Sequence, residues 1–348
     1  PPRSTLFPYT TLFRSKMVVQ FRLNGDLLVA LKGYPIFRSC TGYADIYSKQ
    51  PLDYNTSFQL ASVSKSFTAM SVLILKERGL LKVDDLVKDH IPEFPFENVT
   101  IRHLLQHTSG IPNYMYFVDQ YWRPDSNITN QQVLQLLIDK NAQLTFKPGQ
   151  RHVYSNTGYA MLALLVEKVS GVPFYQFLDE NIFKPLQMDH TFAWNRSEMT
   201  SNKNIATGFH RYGWKYRKIA PDVLDQVVGD KSIYSTVDDL LKYDQALYQG
   251  LLVSDSVMQQ AFTMAVVRKN LQVKYGFGWR LKDVEGKKVV YHNGLWNGFT
   301  ASLTRYIEDS LTIIVTSNTN APAGNIVAQA YNYLSLELFG KQAIDNEE

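Results

Sequence analysis

The chain has 348 residues, 45% of them hydrophobic, with 36 basic side chains against 32 acidic ones and a formal charge of +4. That length and apolar content can bury a large core, which excludes a disordered or disulfide-dense chain and leaves one large domain or two closely packed ones. The basic residues are spread without the runs that phosphate backbones require, so nucleic acid is not expected as a partner.

In chain order, the first fifteen residues, PPRSTLFPYTTLFRS, match neither helical periodicity nor the layout of a signal peptide. The stretch TLFPYTTLFRS is what a common sequencing adapter encodes in one frame, so residues 1–15 are expected to be an assembly artefact; a divergent N-terminal arm is the rival reading. On the artefact reading, the native N-terminus and any export signal are missing. From Met17 to Leu60 the pattern is strand-like: DLLVALKGYPIFRSCTGYADI alternates apolar and polar residues around a Lys-Gly turn, as in a hairpin with one wet face. The single cysteine in this stretch, Cys40, allows no internal disulfide and fits either the cytosol or a bacterial periplasm.

A helix is predicted over Ser62 to Arg78, with Gly79 placed to end it in a left-handed conformation. Leu80 to Met188 reads as short helices joined by turns, including DDLVKDHIPE, TIRHLLQHTSGIP, NQQVLQLLIDK, TGYAMLALLVEKVSG and PFYQFLDENIF. STVDDLLKYDQALYQG adds another helix, with Ser235 or Thr236 as N-cap. Strand-like runs follow in YGFGWRL, KKVVYHNG, FTASLTRYI and LTIIVTSN, and an apolar helix over Asn325 to Phe339 closes the pattern. The expected fold is α+β: an antiparallel sheet flanked by helices (about 17–60 and 205–340), an inserted mainly helical domain (about 61–204) and a tail over 341–348. No stretch is long and apolar enough to span a membrane.

Three short segments carry residue types suited to acyl transfer. In ASVSKSF, Ser62 is the only serine with a lysine three residues on. At a helix start this places the Lys65 amine one turn along from the Ser62 hydroxyl, a nucleophile that needs an adjacent base. The alternative is a capping serine beside a solvated lysine. In GQRHVYSNTGY, Tyr154 and Asn156 are two apart in an extended segment and project to one side. A phenol near an ammonium has its ionised form favoured, so Tyr154 is a candidate to pass protons, and the Asn156 amide can bond both Lys65 and a substrate carbonyl. A packed Tyr and a capping Asn are the plainer alternative. In YHNGLWNGF, His292 and Gly294 end a strand, where Gly often marks close approach by a ligand. The N–H groups of Leu295 and Ser62 are then candidates for stabilising an oxyanion; a structural His before a turn is the alternative. The similar pair Tyr291 and Asn293 falls inside the strand run and belongs to that element.

Taken in order, SVSK, YSN and HNG resemble the three motifs of the serine β-lactamase-like superfamily, in the branch of class C β-lactamases, D-alanyl-D-alanine carboxypeptidases, D-aminopeptidases and β-lactamase-fold esterases. TIRHLLQHTSGIPNY, FKPGQRHVYSNTGYAMLALLVEKVSG, IFKPLQM and SIYSTVDDLLKY resemble segments of that branch in their usual order. The resemblance implies a cleft between a sheet domain and a helical domain, with Ser62 acylated, Lys65 as base partner, Tyr154 as proton shuttle and Asn156 as substrate and Lys contact. It further implies His292 and Gly294 as the edge-strand motif, Leu295 as oxyanion donor, and no metal or organic cofactor. Many β-lactamases carry Lys where this chain has His292, and Leu295 replaces a small or hydroxylated residue. Both departures favour an ester or a D-amino-acid peptide over an antibiotic as the small-molecule or short-peptide substrate. Hydrolysis of β-lactams is the first alternative, and a penicillin-binding sensor without turnover the second. Family members are usually exported, and they open with a helix that packs on the C-terminal one; adapter-like residues in its place predict an exposed apolar face there. Oligomeric state is not legible.

Overall fold

A computed structural model of the chain describes residues 13, 15–123, 126–201 and 204–339. Of the adapter-like stretch, only Phe13 and Ser15 fall among the described residues, and the 341–348 tail lies outside them. The Lys-Gly hairpin forms as its pattern dictates, between β1 (Gly25–Leu31) and β2 (Tyr34–Thr41). Its two turn residues, Lys32 and Gly33, have φ of 52° and 80°, the type I′ geometry whose twist suits a two-residue connection.

Four later strands, β3 (Arg280–Val284), β4 (Lys287–Trp296), β5 (Phe299–Tyr306) and β6 (Leu311–Ser317), complete one antiparallel sheet in the order β3-β4-β5-β6-β1-β2. The chain thus returns to the sheet it started: Leu31 faces Leu311, and Gly25 faces Ser317. Helix α1 (Ser64–Glu77) packs on α2 (Asn156–Ser170) of the helical part, while two helices lie against this sheet, α3 (Val237–Gln249) and α4 (Ala323–Phe339).

Alternation along β1 feeds two cores. Leu27 and Val29 join Leu311, Ile313 and Val315 against Ile326, Ala330, Tyr331 and Leu334 of α4, while Leu28 and Ala30 join Leu303, Ile314 and the buried faces of α1, α2 and α3. The expected wet face is therefore corrected: β1 is buried on both sides, because helices cover both faces of the sheet. Residues 15–19 form a π-helical turn rather than a strand. The apolar face expected to lie bare on α4 is covered as well: Phe13, Met17 and Val18 are buried there, with the Phe13 ring 4.7 Å from that of Phe37 and 5.4 Å from that of Tyr333.

Between β2 and α3 the chain is mainly helical, as its periodicity predicts. Thr100, Thr129 and Thr236 cap helices through side-chain oxygens, and Gly79 and Gly171 leave α1 and α2 at positive φ. Three short helices went unread: Tyr114–Tyr121, Arg196–Ser201 and Asp255–Ala261. The first is started by Asn113, whose side chain accepts from the Met115 N–H. Of the run YGFGWRL, only Arg280 and Leu281 enter a strand. Gly278 (φ 76°) turns the chain tightly against α1, where a Cβ would come within 2.6 Å of the Lys65 carbonyl oxygen.

Candidate active site

Ser62 lies in a single 3-10 turn, Ala61–Val63, that runs directly into α1. It is not a cap: the turn starts at Leu60 and has no side-chain cap bond. The residue before it, Ala61, is buried at φ 47°, a left-handed conformation that costs a non-glycine residue free energy and recurs at functional sites. Gly294 of β4 passes against this turn. A Cβ there would fall on the Leu60 carbonyl oxygen and lie 3.1 Å from the Ser62 nitrogen. The close approach that requires glycine is therefore made by the backbone of the Ser62 turn, where a ligand was expected.

Lys65 is fully buried, so the solvated-lysine reading fails. Its Nζ donates to Ser62 Oγ at 3.0 Å, to Asn156 Oδ1 at 2.8 Å and to the Asp230 carbonyl oxygen at 2.7 Å. Burial pushes the amine down from 10.5 to about 7; Asp230 opposes that shift and the Arg280 guanidinium adds to it. The neutral amine that a base requires is therefore well populated at neutral pH.

Tyr154 and Asn156 flank Ser155, which is extended at φ −134° and ψ 122°, so both turn toward Lys65 while the Ser155 N–H donates to His107 Nδ1 at 3.2 Å. Asn156 begins α2 without capping it. The Tyr154 phenol lies beside Ser62, and its ring centroid is 4.9 Å from Lys65 Nζ. Its ionisation is nevertheless suppressed: burial raises the phenol well above its ordinary range, outweighing the opposing effects of Ser62 and Arg280. This corrects the expectation that a neighbouring ammonium would favour the phenolate. The Tyr154 phenol thus keeps its proton, while the Lys65 amine beside it readily loses one.

His292 stands in β4 opposite Leu303 and is only 1% exposed. Its Nδ1 is 2.8 Å from the Asn293 carbonyl oxygen, which can only accept, so Nδ1 carries the hydrogen and Nε2 faces the Tyr275 hydroxyl at 3.1 Å. Burial holds the ring well below its usual pKa. The side chain is neutral and buried, with both nitrogens engaged behind Tyr154, and what β4 offers outward is Leu295, 69% exposed. Because β3 ends its pairing at Arg280–Tyr291, no strand among the described residues pairs with 292–296 on that side. Tyr291 packs into the α4 core and Asn293 accepts from Ser302 Oγ at 2.8 Å, so neither belongs to the site.

Sequence reasoning missed several residues. Ser62, Asn156, Leu295, Met115, Lys231 and Trp296 line a small opening of about 30 Å³; hollows of about 390 and 630 Å³ lie elsewhere. Lys231 is buried, donating to Tyr114 Oη at 2.7 Å, and Tyr114 donates to Asp230 at 3.1 Å. Burial lowers the Lys231 amine while Asp230 raises it. Arg280, a permanent cation, lies 5.3 Å from the Tyr154 ring. It could have been found as the only Arg or Lys in YGFGWRL; nothing in the spacing marks Asp230 or Lys231. Among the described residues, no group of His, Cys, Asp and Glu is placed to hold a metal ion.

A Ser-Lys pair beside a buried, protonated Tyr, set at the edge of an antiparallel sheet under helices, fits a serine hydrolase of β-lactamase fold. Comparison with known proteins agrees: the beta-lactamase family model matches residues 14–337, and the chain belongs to that family. It is 36% identical over 323 residues to penicillin-binding protein 4* of Bacillus subtilis, covering 88% of this chain and 70% of that protein. To a beta-lactamase of Escherichia coli it is 29% identical over 280 residues, covering 77% and 68%. Among solved structures it resembles a penicillin-binding protein from Bacillus halodurans (TM-score 0.79, 26% identity, 90% of this chain and 97% of that one). It also resembles an octameric penicillin-binding protein homologue from Pyrococcus abyssi (TM-score 0.79, 26% identity, 96% and 78%). No single helix among the described residues is long and apolar enough to cross a membrane.

Proposed function

We propose that this protein hydrolyses esters or D-amino-acid peptides and amides through a covalent acyl-enzyme on Ser62. The observation that carries the reading is the buried Lys65 amine, lowered to about 7 and 3.0 Å from Ser62 Oγ. Neutral Lys65 takes the Ser62 proton as Oγ bonds to the substrate carbonyl carbon. The bond to the leaving oxygen or nitrogen then breaks, the leaving group takes the Tyr154 proton, and Tyr154 regains one from the Lys65 ammonium. Water repeats the sequence on the acyl ester, releasing the acid and restoring Ser62.

During both steps the N–H groups of Ser62 and Leu295 are the candidate donors to the oxyanion, and Asn156 orients Lys65 and the substrate carbonyl. Neutral, enclosed His292 removes the lysine cation with which many β-lactamases meet a substrate carboxylate, which favours neutral acyl donors; any carboxylate must look to Arg280. An ester or an uncharged amide fits this distribution better than a penicillin.

The test is intact-protein mass spectrometry with burst kinetics after mixing with an activated acyl ester and, separately, a penicillin, using Ser62→Ala as control. A Ser62-dependent adduct and ester turnover with little penicillin turnover is expected. Rapid penicillin turnover would make the protein a β-lactamase, a long-lived adduct without turnover would make it a penicillin sensor, and full ester turnover by Ser62→Ala would refute the mechanism.

A further inference from the structure

We propose that the hairpin formed by Phe209–Tyr212 and Lys215–Lys218 docks this protein on an anionic lipid bilayer, with a headgroup phosphate received between Arg22 and Arg211. The hairpin sequence FHRYGWKYRK carries Arg211, Lys215, Arg217 and Lys218 and no acid, in a chain whose charges otherwise nearly balance. Lys215, Arg217 and Lys218 are exposed, and the ion pair formed here joins Lys218 to Asp45 at 3.0 Å.

The aromatic residues make this more than a solvated charged loop. Gly213 (φ 61°) forms the tight turn, and Trp214 beside it is 81% exposed, with Tyr212 at 58% and Tyr47 at 61%. Tyr47 is fixed to the hairpin through its hydroxyl, which donates to the Tyr216 carbonyl oxygen at 3.1 Å. Large amphipathic rings interleaved with cations match a headgroup layer, where Trp and Tyr partition and each nearby Lys or Arg gains from anionic lipid. The Arg22 guanidinium lies 3.4 Å from the Trp214 ring centroid. Arg22 and Arg211 also line a hollow of about 390 Å³ with Gln20, Phe21, Gly213 and Asn320. Arg211 Nη1 is held at its wall by the carbonyl oxygens of Phe21 and Arg22, 3.2 and 3.3 Å away.

The hairpin's base adjoins the active-site rim. A Cβ on Gly298, two residues after the rim residue Trp296, would come within 2.6 Å of the Phe209 nitrogen. Docking here brings the Ser62 opening close to molecules held at a bilayer surface.

The experiment is vesicle flotation of the full chain, with phosphatidylcholine alone and with phosphatidylcholine plus phosphatidylglycerol. The protein is expected to float only with the anionic vesicles. Lys215→Gln with Arg217→Gln should weaken partitioning on the order of thirtyfold, Arg22→Gln should weaken it further, and Trp214→Ala should remove the component that survives high salt. Turnover of a soluble activated ester should be unchanged in all three variants, which shows that they fold. The proposal is overturned if nothing floats, or if the variants float like the parent. It is equally overturned if soluble polyphosphate competes the protein off completely with Trp214 emission unmoved on vesicles, which would make the surface a polyanion site.

Discussion

An ordinary lysine amine is a poor base at neutral pH, and the proposed mechanism turns on Lys65. Burial moves its pKa from 10.5 to about 7, which raises the neutral fraction at neutral pH from about one in three thousand to about one half. With a neutral activated ester as substrate, kcat/KM should climb about tenfold per pH unit below about 7 and level off above it. Arg280 lowers Lys65, so Arg280→Gln removes a repulsive cation, restores preference for the ammonium and should move the inflection to higher pH. Lys65→Arg, permanently charged, should cost on the order of a thousandfold while leaving substrate binding in place. Stopped-flow acylation across the neutral range, on the parent and both variants, checks all three outcomes. A flat profile through pH 7, or an inflection that Arg280→Gln leaves in place, would refute the assignment of Lys65 as base.

Three further outcomes follow from the same geometry. Gly294→Ala places a methyl on the Leu60 carbonyl oxygen and beside the Ser62 nitrogen. Shifting the nucleophile turn should lower kcat by about a hundredfold, read as slower acylation in an enzyme still folded by circular dichroism. His292→Lys should not create a β-lactamase: the site is enclosed, so an unpaired ammonium there should cost about 3–5 kcal/mol of stability, seen as a lower Tm with no gain in penicillin hydrolysis. Asp26 is buried, and desolvation raises its carboxyl from 3.8 to about 7. The folded state therefore holds that proton more tightly than the unfolded state; the stabilisation is complete below 3.8 and fades as pH rises through about 7. Asp26→Asn should accordingly raise Tm above pH 7 relative to the parent and lose that advantage in mild acid, and an advantage constant across pH would count against it.

The site was legible wherever it depends on local spacing. Ser62 and Lys65 meet because three residues make one turn, and Tyr154 and Asn156 meet because an extended segment alternates sides. The helix stop at Gly79 and the cap at Thr236 were legible for the same reason. Burial was not, because it is set by partners far away in the chain. The strand β1 reads as half wet until helices close over both faces, the Tyr154 phenol reads as ionisable until its surroundings exclude water, and His292 reads as a ligand contact until Tyr275 occupies its free nitrogen. Asp230 and Lys231 stayed invisible because their link to Lys65 and Tyr114 spans 165 and 117 positions. The helix at Tyr114–Tyr121 was missed because eight residues, half of them aromatic, give barely two turns of pattern.

The pairing of β1 with β6 also sets a schedule. Leu31 and Leu311 face each other across the sheet, so a ribosome that has released β1 must add 280 residues before its partner exists, roughly 15–60 seconds of synthesis. Through that interval the first hairpin offers an apolar, unpaired edge to every other nascent chain nearby, the situation in which strands add to the wrong neighbour. Whatever escorts this polypeptide in the cell has its work at the beginning of the chain, and that work ends when the last strand arrives.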